Sequence, residues 1–301
     1  MYITPLATDQ DSLERVGGKG RSLSKMVREG FNVPTGFIVT TDAYRSFIAD
    51  NGLQADIVHN AKPQLKDGYP AFDQSAAVIS DLIRQAAMND ALIAAIKRAY
   101  RELQAGGGDD APVAVRSSAN AEDLPGLSFA GQQETYLNVC GEDAVVKAVG
   151  DCWASLWTTQ AISYRHQNGI DQDSVAMGVV VQLMVPSEVS GILFTANPAS
   201  GERSEFIING SFGLGEAVVS GQVTPDTYII NREDLSVKEE HLGPKEQQII
   251  SDGKNGVRME PVAEEDRAKS SISIDQLQQL CETALRIEQL YDGLPQDIEW
   301  A

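Results

Sequence analysis

Lys19 stands between two glycines in the run Val16-Gly17-Gly18-Lys19-Gly20. Flanking glycines let a backbone come close to a ligand, and an ammonium at the start of a helix suits a phosphate. A Walker A loop is excluded, because Gly20 follows the lysine where Ser or Thr is required. On these residues alone, a turn with a solvated lysine is the plainer reading. Arg116 ends the apolar run Val113-Ala114-Val115 and leads into a loop of small residues that begins with Ser117 and Ser118. A charge at the end of a buried strand is costly without a partner. Either Glu122 or Asp123 supplies one, or the guanidinium grips two phosphate oxygens while loop N–H groups reach the rest.

Two further groups carry chemistry. Gln182 falls on the opposite strand face from Val179, Val181 and Leu183, beside Ala176, Gly178 and Met184. Its amide can read an adenine edge with Met184 packed on the ring, or it can be a satisfied core amide. Asp297 and Glu299 alternate on a short exit strand, so both carboxylates face one spot. Such a pair suits Mg²⁺, a hard cation that keeps phosphate and water among its ligands; a solvated strand end is the alternative. Ser211-Phe212-Gly213-Leu214-Gly215-Glu216 lacks a complete Gly-x-Gly-x-x-Gly fingerprint and reads as a tight turn into a helix. His59, His166 and His241 are isolated from any partner at zinc spacing.

The elements that must position these groups can be traced by periodicity. A short helix with Leu23, Met26 and Val27 inward is opened by the turn at 17–20 and ended by Gly30. Residues 42–104 read as helical, with Val78, Ile79, Leu82, Ile83 and Ala86 on one face, then Leu92, Ile96, Tyr100 and Leu103. A helix follows with Val145, Val149, Cys152, Trp153 and Leu156 inward. Val175, Met177, Val179, Val181 and Leu183 alternate as a strand, and more strands are expected at 191–195, 205–209 and 226–230. The polar stretch 232–271 reads as surface hairpins or loops. A last helix spans about 273–291, with Leu277, Leu280, Cys281, Ala284 and Ile287 inward.

At 301 residues the chain is long enough for two subdomains. A net charge of -19 argues against a nucleic-acid partner, and it obliges an anionic ligand to rely on local cations. No apolar run approaches the roughly 18 residues of a membrane span. The first residues lack the basic and apolar regions of a signal peptide, so cytoplasm is the expected compartment. Cys140, Cys152 and Cys281, odd in number and set among apolar neighbours, are expected as buried free thiols.

The blocks around Gly17–Gly20, Val33-Pro34-Thr35-Gly36-Phe37, Val113–Gly126, Phe129–Thr135, Cys152–Leu156, Ser163-Tyr164-Arg165, Gly191–Thr195, Ser211–Glu216 and Pro295–Trp300 form an ordered set across nearly the whole chain. As a set they resemble the nucleotide-binding domain shared by phosphoenolpyruvate synthase, pyruvate,phosphate dikinase and rifampin phosphotransferase. The resemblance implies an α+β, ATP-grasp-like fold of two subdomains with the nucleotide between them. The first is placed at 1–186 with a phosphate lid loop, and the second at 187–301, expected to stop before its last strand. It implies that Lys19, Arg116, Gly131, Thr135, Gln182, Met184 and Glu299 contact nucleotide, with Lys19 and Arg116 catalytic and Glu299 and Asp297 binding Mg²⁺. It further implies that the β-phosphoryl of ATP passes to a histidine on a separate swivelling domain, and then to an acceptor of the pyruvate or rifampin class. A non-catalytic nucleotide-sensing or partner-docking domain and a self-contained ATP-grasp ligase are the competing readings.

Overall fold

The computed structural model describes residues 1–66, 69–104, 110–121, 134–253 and 255–301. Two compact units divide them: Met1–Met184 with Lys254–Gly256, and Val185–Gly253 with Val257–Ala301.

The first unit begins with β1 (Ile3–Pro5), α1 (Leu13–Arg28) and β2 (Gly36–Val39). Helices α2 (Thr41–Asp50) and α3 (Gln54–Asn60) lead to short strands β3 (Gln64–Lys66) and β4 (Tyr69–Ala71), then α4 (Asp73–Gln85) and α5 (Asp90–Gln104). Strands β5 (Val113–Ala119) and β6 (Thr135–Val139), helices α6 (Glu142–Ser155) and α7 (Thr159–Gln167), and strand β7 (Met177–Leu183) complete it. The five-stranded sheet runs β1-β2-β7-β5-β6, with every neighbouring pair antiparallel. One face packs a large core with α2, α4, α5 and α6, in which Val39, Val113, Val115, Val179 and Val181 meet Phe47, Ile79, Ile96 and Trp153. Trp153 is fully buried against Phe47 and Tyr44, with ring centroids 5.0 and 5.9 Å away. The other face packs Ile38 and Val180 against Val16, with Leu23 and Val27 of α1 alongside. With helices on both faces, β7 is buried along nearly its whole length, so its side chains are apolar or small except for Gln182.

The second unit contains β8 (Val189–Phe194), β9 (Glu205–Phe212), the short α8 (Glu216–Val219), β10 (Asp226–Asn231), β11 (Val237–His241), β12 (Gln247–Ser251), β13 (Val257–Pro261), α9 (Glu264–Arg267), α10 (Ile274–Leu290) and β14 (Asp297–Trp300). Its sheet runs β11-β10-β9-β8-β14, again with antiparallel neighbours, and β12 and β13 pair as a separate hairpin. Helix α10 starts at a reciprocal capping box between Ser273 and Gln276, which satisfies donors at the helix start. It then lays Leu277, Cys281 and Ala284 on Leu193, Phe206, Ile208 and Tyr228. Among the described residues no helix is long and apolar enough to cross a membrane.

Several expectations require correction. Ser117 and Ser118 belong to β5 rather than to a loop, and Arg116 sits at the middle of the strand instead of its end. The strand continues because Arg116, Ser117 and Ser118 all keep partners on β7. The turn expected at 17–20 shrinks to Gly17 alone, at φ 72° and ψ 179°; helix precedes it from Leu13 and resumes with Gly18 and Lys19. The β3–β4 pair interrupts the stretch expected to be helical. Val78, assigned inward, is 36% exposed, while Ala76 and Ile79 fill that position of the core. Cys140 is only partly buried, unlike Cys152 and Cys281.

The polar stretch 232–271 hides a fully buried ion pair: the Lys245 ammonium meets the Asp226 carboxylate with neither side chain exposed. Asp226 also accepts from Gly243 N at 2.9 Å, from Ser271 N at 2.8 Å and from Tyr228 Oη at 3.2 Å. So many donors on one carboxylate offset the cost of taking it out of water.

Candidate functional site

Gly17 creates the site's geometry. A Cβ there would lie 1.9 Å from the Ser118 carbonyl oxygen, so α1 rests on β5 as closely as backbone allows, and the positive φ excludes ordinary side chains. Gly178 does the same from β7, where a Cβ would meet Val16 O at 2.8 Å. The Ser118 hydroxyl closes the contact: it donates to Val16 O at 2.8 Å and accepts from Gly20 N at 2.9 Å. Thus one buried hydroxyl satisfies a carbonyl and an N–H that the break at Gly17 leaves without ordinary helical partners. Gly17 and Gly20 are thereby explained by packing against the sheet, and Lys19 itself is partly exposed.

Side-chain alternation then sorts the sheet. Ser118 faces α1, so Arg116 and Ala114 of the same strand face α1 as well. Directly across β7, Arg116 pairs with Val180 and Ala114 with Gln182; across β6, Arg116 pairs with Thr135. Residues opposite one another in a ladder share a face, so Arg116, Thr135 and Gln182 lie together on the side that carries α1 and Lys19. Met184 follows β7 at the alternate position to Gln182, and its N–H donates to Pro112 O at 2.9 Å. Gln182 is 4% exposed, and its Nε2 donates to Pro34 O at 3.0 Å. That bond fixes the amide's orientation and leaves Oε1 as the end available to a ligand.

Beneath this face, Cys152 of α6 lies against Val115 O and Glu134 O at 3.8 and 4.0 Å. Burial pushes its thiol pKa far up, and the charges of Asp151 and Glu134 add to this. The Lys19 charge pulls in the opposite direction, which places the ammonium within electrostatic reach of the β5–β6 end of the sheet. An un-ionised thiol there is packing, not a nucleophile. Gly131 lies outside the described residues, as do Glu122 and Asp123.

In the second unit, Asp297 and Glu299 are exposed and alternate on β14, opposite Phe194 and Ile192 of β8. The Asp297 pKa is raised, first by desolvation of the carboxyl group and then by the like charge of Glu299. A desolvated Asp297 beside the like charge of Glu299 fits a hard divalent cation, which would relieve the repulsion. Among the described residues no group of three or more His, Cys, Asp or Glu gathers as a metal site, so any cation would draw further ligands from its substrate or from water. Glu216 opens α8 after the turn at Gly213, whose carbonyl accepts from Ser190 Oγ at 2.6 Å and Ser187 Oγ at 3.1 Å. The turn is held within its own unit.

Sequence reasoning named Arg165 only within a family block and gave it no role. The residue is fully buried, stacks 4.9 Å over the Trp157 ring and donates from Nε to Gln172 Oε1 at 2.7 Å. Neither Nη has a hydrogen-bond partner among the described residues, and burial lowers the guanidinium pKa to about 10. An arginine in a helix without a nearby acid in sequence gives no signal of such a role.

The geometry thus defines an α+β protein with basic and amide side chains gathered on one face of an antiparallel sheet. Comparison with known proteins is more specific. Residues 13–301 match the family described as pyruvate phosphate dikinase, AMP/ATP-binding domain, and the chain belongs to that family. It is 44% identical over 286 residues to a probable phosphoenolpyruvate synthase of Methanocaldococcus jannaschii, covering 95% of this chain and 24% of that protein. It is 40% identical over 325 residues to the phosphoenolpyruvate synthase of Pyrococcus furiosus, covering 95% of this chain and 40% of that one. A rifampicin phosphotransferase of Streptomyces sviceus is 42% identical over 294 residues, with 97% and 33% covered. The chain therefore spans well under half the length of these relatives.

Proposed function

We propose that this chain binds Mg²⁺-ATP and serves the nucleotide step of a dikinase-type phosphotransfer. The observation that carries the reading is the shared sheet face: Arg116, Thr135 and Gln182 stand where the break at Gly17 seats α1 and brings in Lys19. Lys19 and Arg116 hold the phosphates and neutralise charge as the phosphoryl group leaves. Arg116 can grip two oxygens, whereas Lys19 acts as a point charge. Thr135 borders the phosphates, and Gly131 is assigned beside it on the family resemblance. Gln182 accepts from the adenine amino group through Oε1, and Met184 packs on the ring.

Asp297 and Glu299 hold Mg²⁺, with Glu299 the closer ligand. The cation, when bound, disperses negative charge on the phosphates. An ATP-grasp-like pair of subdomains closing on the nucleotide is part of this proposal, as is a cytoplasmic setting. In the whole protein, the β-phosphoryl of ATP ends on the imidazole of a separate swivelling carrier domain, with AMP and inorganic phosphate as the other products. The carrier then serves an acceptor of the pyruvate or rifampin class, which the relatives' names suggest.

Incubating the chain with [β-³²P]ATP, Mg²⁺ and a histidine-bearing carrier domain from a relative tests the transfer. Acid-labile, base-stable label on the carrier is expected. Nucleotide binding with no label on the carrier would favour a sensing domain over a phosphotransferase.

A further inference from the structure

Two adjacent serines of β5 are both buried, and they differ in what their hydroxyls do. Ser117 Oγ has no hydrogen-bond partner among the described residues. Ser118, on the opposite face, donates to Val16 O at 2.8 Å and accepts from Gly20 N at 2.9 Å. Val16 and Gly20 bracket the residues Gly17-Gly18-Lys19, where the helix is broken at Gly17. One hydroxyl therefore pins both ends of the segment that carries the lysine. Arg116 lies two positions before Ser118 on the same strand and shares its face. Its register is set by Val180 on one side and Thr135 on the other.

We propose that Ser118 is a positioning residue for the nucleotide phosphates, acting through Lys19, so that β5 fixes the placement of both cations. The proposal rests on the reading of Lys19 and Arg116 as phosphate-binding groups, and it adds a residue that itself touches no ligand. Arg116 is placed by its own backbone, whereas Lys19 is placed by a hydroxyl two residues further along the strand. A lysine side chain has many rotamers, so its reach is defined only as well as the backbone beneath it. Gly17, at positive φ and without a side chain, sets little limit of its own on that backbone. The Ser118 bonds supply the limit, from a strand held between β6 and β7. In a chain of net charge -19, affinity for a polyphosphate depends on where the local cations stand, and displacing one of them weakens binding.

Calorimetric titration of the full chain with Mg²⁺-ATP tests it in a double-mutant cycle. Ser118→Ala should weaken binding about three- to tenfold when Lys19 is present. Beside Lys19→Ala the same substitution should change affinity by less than about twofold, because the group it positions is gone. Ser117→Ala, on the other face of the same strand, should leave affinity unchanged. Ser118→Cys keeps the shape with a weaker donor, so it should fall between wild type and Ser118→Ala and guards against a folding defect in the latter. Acetylation of Lys19 by acetic anhydride, read by mass spectrometry, needs no lysine variant. Saturating Mg²⁺-ATP should shield the amine in the wild-type chain and shield it clearly less in Ser118→Ala. Wild-type affinity in Ser118→Ala, equal losses with and without Lys19, or unchanged shielding would each overturn the proposal. No ATP binding by the wild-type chain would instead remove the nucleotide reading itself, and the positioning role with it.

Discussion

In the first unit, the polar groups singled out as functional lie within the sheet and beneath a helix. Arg116 occupies the middle of β5, Gln182 belongs to the central strand β7, and Ser118 fastens α1 above them. In the second unit, the carboxylates Asp297 and Glu299 stand exposed on β14, an edge strand paired on one side only. The two five-stranded antiparallel sheets are alike in strand count and pairing, and they differ in what their candidate residues cost the fold. Groups held between packed layers are positioned before any ligand arrives, so their geometry is bound up with stability. Groups exposed on an edge strand lie open to a cation from solvent and contribute little to folding. The first arrangement favours preorganised charge stabilisation, and the second favours a ligand set completed by the substrate.

Substitutions at the two sheets sharpen this contrast. The largest effect is expected for Gly17→Ala, where a methyl group would overlap the Ser118 carbonyl at 1.9 Å and φ is positive. The first unit should lose more than about 3 kcal/mol or fail to fold, as read by chemical denaturation with circular dichroism. Gly221→Ala in the second unit, at a similar φ of 69° but in open space, should cost only about 1 kcal/mol. Equal losses at the two glycines would show that the dihedral, rather than the seat on β5, is what matters.

Next come the buried cations. Lys245→Met strands the Asp226 carboxylate in the interior and should cost about 3–5 kcal/mol. Arg165→Met removes a cation that has no buried acid beside it in the hydrogen-bond network, and it should cost about 1 kcal/mol or less. Ser118→Ala leaves Gly20 N and Val16 O without their shared partner and should cost about 1–3 kcal/mol in thermal melts.

The smallest effect is expected on the edge strand. The folded-state pKa of Asp297 is raised, so its ionised form opposes folding and the stabilising contribution is present only at low pH. Asp297→Asn should therefore slightly raise the melting temperature of the metal-free chain at neutral pH. The gain should shrink as pH falls through the ordinary carboxylate range. A lower melting temperature at neutral pH would mean that Asp297 is fastened into the edge strand after all.

Much of this architecture was legible in the residues. The alternation from Val175 to Leu183 marked β7, and the Leu277–Ile287 stripe marked α10. Those signals are local, repeating over a few residues, and the same physics acts in the chain and in the fold. The glycines around Lys19 were legible as special but not in their use, because the backbone they admit, that of Ser118, lies about a hundred residues away. Ser117 and Ser118 resembled loop residues by type and became strand by pairing with β7, a case of tertiary context overriding propensity. Lys245 sat in a polar stretch indistinguishable from surface, and its partner Asp226 stands on β10, 19 residues earlier in the chain. The shared face of Arg116, Thr135 and Gln182 likewise depends on strand register across β6, β5 and β7, which no single segment encodes.

Calorimetric titration of the chain with Mg²⁺-ATP, repeated on Lys19→Ala and Arg116→Ala, tests the central claim most directly. The account predicts saturable, Mg²⁺-dependent binding, weakened about tenfold or more in each variant while both keep the wild-type melting temperature within a few degrees. Wild-type affinity in both folded variants would contradict it, because the nucleotide phosphates would then have to bind somewhere other than the face of β5 that carries α1.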